Sequence, residues 1–325
     1  MAVITPTELF PGAAPANTGD PVPYSGSFIP TIWSGKLVEK FYDATVLAAI
    51  SNTDYEGEIT SFGDKVVIRQ KPDVTIGDYT SGKDLSGLAQ RPTSDIIELN
   101  IDKGKFWATE LDDVMEVQAD VDMMSMWADD ASEKMKIEID TDVLLYMLDL
   151  PAAKNKGQTA GLVSSSIDLG ITTSPLIIDK SNVTDIIVRA SQTLDEQNVP
   201  EQGRWMVIPA WMAARIKQSE LKDASLSGDS SSILRNGRLG MVDRFTLYLS
   251  NLLPRDDTPT GGLLADTETA IFFGHSTALT FASQVTKVET LRVESTFGTI
   301  MRGLQVYGRQ VIKPESFGQI VGTPG

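Results

Sequence analysis

The chain has 325 residues, of which 41% are hydrophobic, enough for a sizeable core in one large domain or two ordinary ones. It contains no cysteine and a single histidine, which excludes disulfide and thiolate chemistry and disfavours a zinc site. The formal net charge is −16 at pH 7, and no basic patch supports specific nucleic-acid binding.

The first part of the chain, residues 1–30, is rich in proline and poor in side chains that could build a core. This composition predicts an extended or flexible arm that does not fold alone. Phe10, Tyr24 and Phe28 are candidates for anchoring the arm on another surface, and a disordered tail is the alternative. No secretory signal and no apolar run of ~20 residues is visible, so we expect a protein made in the cytoplasm that does not enter a membrane.

After a predicted helix over residues 32–50, the character of the chain changes to β. Residues 65–71, 96–101 and 105–109 are strand candidates, and a segment rich in Gly, Asp, Ser and Thr separates the first two. We predict a long β-hairpin arm over residues 56–110. Because an isolated two-stranded arm is only marginally stable in water, its tip should rest on another molecule or be covered by the rest of the fold.

Residues 110–149 contain neither proline nor glycine, and they carry 13 acidic and 2 basic side chains. Their apolar residues recur at spacings of three and four, as in Val114, Val117, Val121, Met124, Ala128, Ala131 and Met135. This pattern predicts one long amphipathic helix of roughly 50 Å, capped by Asp112 or Asp113. Its acidic face is either simply solvated, or it meets a basic partner and repels phosphate backbones.

The rest of the chain mixes helices and strands. A helix is predicted over residues 182–197, with Ile187, Ala190 and Leu194 on one face and Asn182 or Thr184 near its cap. Residues 205–208 form a short buried strand, and Pro209 opens a helix in which Trp211, Ala214 and Ile216 are available for packing. Residues 235–238 form a turn, and the later strand candidates are 245–249, 270–273, 278–282, 288–293 and 304–312. The order of elements indicates an α+β protein.

No catalytic pattern emerges from the polar residues, and we expect no enzyme activity, no cofactor and no metal. His275 lacks a nucleophile-elbow motif nearby and is better explained as a residue at a strand end. The acidic pairs Asp120/Asp122, Asp129/Asp130 and Asp140/Asp142 do not form a metal-binding loop, because helical neighbours one or two apart point in different directions. Paired carboxylates for glycoside hydrolysis are not positively indicated.

Four segments carry a family resemblance. They are residues 205–211, a strand followed by a Pro turn and a helix; residues 239–254, a small loop, a strand and then Pro254; residues 270–293, the closing strands; and residues 304–317, a strand leading to Lys313, Pro314, Glu315, Ser316 and Phe317. In their order and spacing these segments resemble the major capsid proteins of tailed double-stranded DNA bacteriophages, which have the Hong Kong 97-type fold.

The resemblance implies a division of the chain into six parts. Residues 1–32 would be an N-terminal arm, 33–55 an N-terminal helix region, 56–110 an extended loop lying over a neighbouring subunit, 111–150 the spine helix of a peripheral domain, 151–280 mainly an axial domain, and 281–325 strands returning through the peripheral domain. Candidate contacts between subunits are Phe10, Tyr24, Phe28, Lys65, Arg69, Lys71, Lys83, Arg91, Asp129, Asp130 and Glu133.

The resemblance also implies a structural role. The chain would self-assemble into pentamers and hexamers of an icosahedral virion capsid, built in the host cytoplasm around double-stranded DNA that it does not read by sequence. A scaffolding protein and a portal are expected partners, and a decoration protein is a further candidate. No motif identifies a Lys–Asn crosslink in this sequence. Two alternatives stay open: the shell of an encapsulin-like compartment, and an acidic α+β hydrolase.

Overall fold

A computed structural model of the chain describes residues 45–54, 65–72, 74–84, 90–94, 96–118, 122–219, 240–255, 268–294 and 296–325. The helices are α1 Leu47–Ile50, α2 Asp113–Gln118, α3 Met123–Tyr146, α4 Val183–Glu196 and α5 Ala210–Gln218. The strands are β1 Lys65–Arg69, β2 Ile96–Asn100, β3 Lys103–Asp112, β4 Leu176–Ile178, β5 Arg204–Ile208, β6 Met241–Val242, β7 Phe245–Leu249, β8 Thr269–His275, β9 Leu279–Arg292, β10 Gly298–Val311 and β11 Phe317–Pro324. The predicted N-terminal arm with Phe10, Tyr24 and Phe28, the helix before residue 45 and the turn at 235–238 lie outside these residues.

A six-stranded mixed sheet has the order β4-β11-β8-β5-β7-β6, and its central strands β5 and β8 are buried on both faces. Along β5, Met206 and Ile208 point into one core, whereas Trp205 and Val207 point into the other. Strand β8 divides its side chains in the same way. Burial on both faces explains why these strands read as continuous apolar runs and not as alternating ones.

Helices α4 and α5 cover the first face of this sheet, and both were predicted from sequence. Ile187, Ala190 and Leu194 of α4 are fully buried, as expected. Asn182 stands at the cap position but makes no capping hydrogen bond, because its side chain accepts from the Asp179 amide instead. The expectation for Ala214 is wrong, since α5 turns Met212 and Ile216 inward and leaves Ala214 exposed.

The second face is covered by α1 and the C-terminal end of α3. Ile139, Val143 and Leu144 of α3 are buried there. Asp140 is also buried, and its carboxylate accepts hydrogen bonds from the backbone amides of Val46 at 2.8 Å and Leu47 at 2.9 Å. Burial raises the pKa of Asp140, and these two hydrogen bonds oppose the rise. The side chain therefore fixes the start of α1 on the long helix.

A separate three-stranded antiparallel sheet has the order β3-β10-β9. Its two longer strands, β9 and β10, have 14 residues each and extend for roughly 48 Å. The predicted strands 278–282 and 288–293 are thus parts of a single strand. The register of β9 and β10 shifts between Val306 and Tyr307, which marks a β-bulge. Residues 105–109 pair with β10 in this sheet, so their assignment to the hairpin arm is wrong.

The single helix predicted over residues 110–149 is corrected in two respects. Strand β3 continues to Asp112, and α3 begins anew after Asp122, whose non-helical backbone and side-chain hydrogen bond to the Ser125 amide form a cap. Asp112 does cap α2 as predicted, accepting from the Val114 amide at 2.8 Å. No described member of the expected apolar stripe is fully buried: Val117 is 85% exposed, Met135 is half-buried, and full burial starts only at Ile139, beyond the stripe.

Replacing Asp140 with alanine should lower the free energy of unfolding by about 1–3 kcal/mol, since the Val46 and Leu47 amides would lose their acceptor in a buried site. Chemical denaturation measures the change. The control is Asp129→Ala on the exposed side of the same helix, which should stay within about 0.5 kcal/mol of wild type. Equal effects of the two substitutions would contradict the capping role.

Candidate assembly surfaces

The hairpin arm is rooted in the protein's own fold. Strands β1 and β2 pair antiparallel, with Val66 opposite Leu99 and Ile68 opposite Ile97, which confirms the predicted pairing of these two segments. These four side chains form the inner face and pack against β9 and β10, where they make a third, smaller core. Packing against a sheet gives the arm the stability that an isolated hairpin lacks.

The arm crosses β10 at Gly308, where a side chain would not fit. A Cβ atom on Gly308 would collide with the backbone carbonyl of Asn100 in β2. Gly104, in the neighbouring strand β3, faces a looser environment, and its Cβ would lie 4.0 Å from Val306. Gly308 therefore permits the close approach of two backbones.

Beyond its root the arm presents an exposed apolar loop, residues 74–84. Ile76 is 94% exposed, and Val74 and Tyr79 are also largely in solvent. The loop is nevertheless tied down, because the Gln90 side chain hydrogen-bonds both the amide and the carbonyl of Thr75. The predicted contact residue Lys83 donates to the carbonyl of Asp78 within the same loop.

Residues 69–72 and 90–93 form the neck of the arm, between the paired strands and the loop. The neck carries most of the other basic residues predicted to contact neighbours. Lys71 and Arg91 both line a polar cavity of about 450 Å³ whose other lining residues are Gln70, Pro72, Gln90, Pro92 and Thr93. Arg69 is exposed at the end of β1. Lys65 forms an ion pair with Glu98 at 3.1 Å on the outer face of the hairpin, where solvent makes such a pair worth little. The structure thus brings Lys71 and Arg91 together and leaves Lys65 apart from them.

An open cleft of about 590 Å³ separates β3 from α3. Its lining combines aromatic and charged side chains: Lys105, Phe106, Trp107, Thr109, Glu110, Trp127, Asp130, Ala131, Lys134, Met135 and Glu138. At one end Lys105 bridges the two elements through an ion pair with Glu138 at 2.8 Å. Sequence reasoning missed this cleft, because it is formed by two elements that had been assigned to different parts of the molecule.

The three acidic contact candidates lie on α3 beside the cleft but differ in their surroundings. Asp129 is exposed. Asp130 pairs with Lys134 at 3.0 Å, and Glu133 pairs with Lys136 at 2.6 Å. The acidic face is therefore partly neutralised by lysines of the same helix, as i,i+3 and i,i+4 spacings allow.

A second exposed apolar patch lies at the far end of the three-stranded sheet. Val114, Met115 and Val117 of α2 lie exposed near the turn between β9 and β10, where Phe297 is 82% exposed. The Asp113 amide donates to the Phe297 carbonyl at 3.0 Å, which joins the helix to the turn. The sequence prediction counted Val114 and Val117 in a buried helix stripe, and the structure contradicts it because α2 lies beyond the sheet and covers no core.

The side chain of Glu196 holds the loop that contains Val163 and Ser164 against helix α4. Glu196, in the last turn of α4, accepts hydrogen bonds from the amides of Val163 at 2.7 Å and Ser164 at 3.0 Å. The Ser164 amide is the largest cause of a pKa lowered to about 2 at Glu196. The loop presents Leu162 and Val163 to solvent. No pattern in the sequence pointed to this contact.

The polar residues considered for chemistry have structural partners. Asp140 caps α1, whereas Asp142 accepts from the Tyr307 hydroxyl at 2.8 Å and pairs with Arg309, so the two acids serve different sites. His275 ends β8 as predicted, and its Nδ1 accepts from the Thr277 amide. Burial lowers the pKa of this imidazole.

The described residues contain neither a metal-binding cluster nor a helix suited to cross a membrane. No group of three acidic or histidine side chains in that part of the chain is placed to hold a metal ion. Among the helices found there, none has the length and apolarity needed to cross a bilayer.

Substituting Gly308 with alanine should cost about 1–3 kcal/mol in unfolding free energy, because the Asn100 backbone must move to admit the methyl group. Gly104→Ala is the matched control in the same sheet and should change stability by no more than about 0.5 kcal/mol. Urea denaturation compares the two, and hydrogen exchange of the β1 and β2 amides locates the damage. Unchanged exchange in Gly308→Ala would refute the crossing as a packing constraint.

Acidification should release the loop held by Glu196. A carboxylate whose folded pKa is lowered contributes stability above its ordinary pKa of 4.5, and this contribution is lost as the pH falls toward about 2. The difference in unfolding free energy between wild type and Glu196→Gln should therefore shrink between about pH 5 and about pH 2. A difference that stays the same from about pH 5 to about pH 2 would contradict the role of Glu196 in holding this loop.

Comparison with known proteins finds close structural matches over nearly the whole chain. No protein-family model and no curated protein sequence matches it. A solved structure from Mycobacterium phage Che8 shares 26% identity, with a TM-score of 0.70, over 91% of this chain and 98% of that one. The capsid structure of cyanophage P-SCSP1u matches with a TM-score of 0.69 at 16% identity, over 92% of this chain and 94% of its own.

The mature capsid of bacteriophage PhiM1 is a further match, with a TM-score of 0.63 at 14% identity over 98% of both chains. At such low identity the cyanophage and PhiM1 matches bear on the fold alone. The chain therefore has the mixed helix-and-sheet fold of phage capsid proteins, and the resemblance to phage major capsid proteins drawn from its sequence is confirmed.

Proposed function

We propose that the chain is the shell subunit of a phage capsid. In this proposal it has the Hong Kong 97-type fold and assembles into pentamers and hexamers of an icosahedral shell that encloses double-stranded DNA. The observation that carries the proposal is the match to phage structures, two of them capsids by title, over more than nine-tenths of the chain. A match confined to one sheet would have supported a shared fold but not a shared function as a shell subunit.

The exposed apolar surfaces support assembly on physical grounds. Soluble monomers rarely leave contiguous apolar patches in water, and larger patches mark interaction sites. Among the described residues, two groups of exposed apolar side chains stand out, the loop around Ile76 and the tip formed by α2 and Phe297. Both project from slender elements with little core of their own, so they gain most from burial against neighbouring copies.

The proposed domain division has support from the separate cores. The core made by α4, α5 and one face of the large sheet draws mainly on residues 160–273, within the segment assigned to the axial domain. The hairpin root, α3 and the three-stranded sheet would form the extended loop and the peripheral domain. The last strand complicates this division, because β11 enters the large sheet beside β8.

The acidic character of the chain suits a container wall. A net charge of −16 opposes tight binding to packaged DNA, so the enclosed nucleic acid would be held without sequence-specific contacts. A scaffolding protein and a portal are further expected partners, and a decoration protein remains a candidate. Assembly would take place in the host cytoplasm.

The carboxylates of the cleft give the hydrolase alternative no support. Asp130 and Glu138 are held in ion pairs with lysines, and Glu110 accepts a hydrogen bond from Thr296. A glycosidase needs two carboxyl groups that flank the scissile bond, one protonated to act as the acid and the other ionised to act as base or nucleophile.

Deleting residues 75–92 should leave a folded subunit that no longer forms stable shells. The paired strands β1 and β2 and their small core remain in this variant, whereas the apolar loop is removed. Electron microscopy of wild type and variant, each co-expressed with its genomic neighbours, measures assembly, and circular dichroism checks folding. Normal, stable particles from the deletion variant would contradict a role of the loop in assembly.

The same preparation tests the function as a whole. Closed wild-type shells of uniform size that contain DNA are the expected result. Shells filled with a protein cargo would identify an encapsulin-like compartment. A wild-type chain that stays monomeric with its genomic neighbours present would refute the shell function.

A further inference from the structure

We propose that a pocket just beyond the C-terminal end of α3 binds a small aliphatic group that carries a carboxylate. The pocket has a volume of about 340 Å³, and its polar lining residues are Asp149, Lys156, Thr172 and Gln319. It lies within a single chain and uses none of the residues considered above for assembly. The inference therefore does not depend on the proposed shell function.

The pocket contains a buried amide with an unused donor. Gln319 lies on β11 between Phe317 and Val321, whose side chains belong to the second core, and it is only 6% exposed. Its Oε1 accepts a hydrogen bond from the Asp149 amide at 2.8 Å, which fixes the orientation of the side-chain amide. Its Nε2 donates to no residue that the structure describes. Because a buried amide donor without an acceptor is costly, a ligand that supplies an acceptor here is favoured.

Two further groups that can donate hydrogen bonds line the same pocket. The Lys156 ammonium donates to the carbonyl oxygen of Asp149 at 2.5 Å and to its carboxylate at 2.6 Å. An ammonium has three N–H donors, so one is left for a ligand. Thr172 adds a hydroxyl to the lining. A positive charge beside these donors favours an anionic acceptor, because hydrogen bonds to ionised groups are about twice as strong as neutral ones.

The remaining lining is largely apolar and selects the other part of the ligand. Leu148, Ile171 and Val321 contribute aliphatic side chains to the pocket. Ligand sites commonly combine apolar walls with a few placed polar groups, in volumes of ~300–1,000 Å³. This pocket is near the lower end of that range, so it fits a compact aliphatic group better than a large ligand.

The walls of the pocket are held in place by the protein's own backbone. Asp149 and Gly170 both have left-handed backbone conformations, with φ of 65° and 77°. A Cβ atom on Gly170 would collide with the carbonyl oxygen of Val321, so only glycine permits this close approach. The Val321 amide in turn donates to the Leu169 carbonyl at 3.0 Å. Walls that are fixed in this way reduce the entropy lost on binding.

An aliphatic group with a carboxylate can come from two sources. One is a free carboxylic acid, and the other is the C-terminal residue of a peptide. In both cases the carboxylate oxygens would accept hydrogen bonds from Lys156 and from the Nε2 of Gln319, while the aliphatic part contacts Leu148 and Ile171.

Saturation-transfer NMR titrations of the full-length chain test the site. The probes are 4-methylpentanoate, its neutral analogue 4-methylpentanamide, and N-acetyl-leucine as a mimic of a peptide C-terminus. We expect wild type to bind 4-methylpentanoate at least about tenfold more tightly than the amide, because only the carboxylate pairs with the ammonium. Tighter binding of N-acetyl-leucine than of 4-methylpentanoate would identify a peptide end as the ligand, and the reverse order would identify a free acid.

The variant Gln319→Glu isolates the buried donor. It keeps the shape of the side chain and an acceptor for the Asp149 amide, but it replaces Nε2 with an oxygen. Its affinity for 4-methylpentanoate should fall at least about tenfold. Gln118→Glu makes the same chemical change at the exposed end of α2 and should bind the probe as wild type does.

A second variant keeps the proposal testable if a buried glutamate disturbs β11. Lys156 is partly exposed, and Lys156→Gln should abolish the preference for 4-methylpentanoate over 4-methylpentanamide while the chain stays folded by circular dichroism. A folded Lys156→Gln variant that retains the full preference would overturn the proposal. So would a wild-type chain that binds neither 4-methylpentanoate nor N-acetyl-leucine.

Discussion

Three long elements of the described part of the chain, α3, β9 and β10, are each held at one end by the core on the second face of the six-stranded sheet. Ile139, Val143 and Leu144 fix the C-terminal end of α3 there, Tyr307 and Val311 fix the end of β10, and Leu279 fixes the start of β9. The opposite ends extend away from that core and expose apolar residues such as Phe297 and Val117. Apolar side chains at those ends are therefore in contact with solvent in the single chain, and only contact with another molecule would bury them.

Local sequence signals predicted the elements whose structure depends on local contacts. Helix α4, the buried strand β5 and helix α5 follow from apolar periodicity and from Pro209, and the structure confirms them. The pairing of β1 with β2 also followed from composition and order. The β9 strand was split in two because the polar residues Gln284, Thr286 and Lys287 separate its two apolar runs, whereas pairing with β10 makes the strand continuous.

The features that mattered most for the proposed interfaces could not be found locally. The break in the predicted long helix depends on Asp122, one of many acids in the region, acting as a cap. The cleft depends on Trp107 lying over Gly303, nearly two hundred residues away in sequence. Asp140 looked like a member of an acidic pair, yet its role depends on the amides of Val46 and Leu47. The contact candidates on the neck and on α3 were identified by charge alone, and their role in contacts between copies stays a proposal.

The β-bulge between Val306 and Tyr307 has a mechanical consequence. It sits where the anchored half of β10 meets the projecting half, and a bulge concentrates twist and bending at one point of a strand pair. Differences in angle between chemically identical chains would therefore be absorbed at this joint, while the anchored core and the projecting tip each keep their shape. In the proposed shell one sequence would occupy both five-fold and six-fold positions, and this joint in the register of two strands would accommodate the difference.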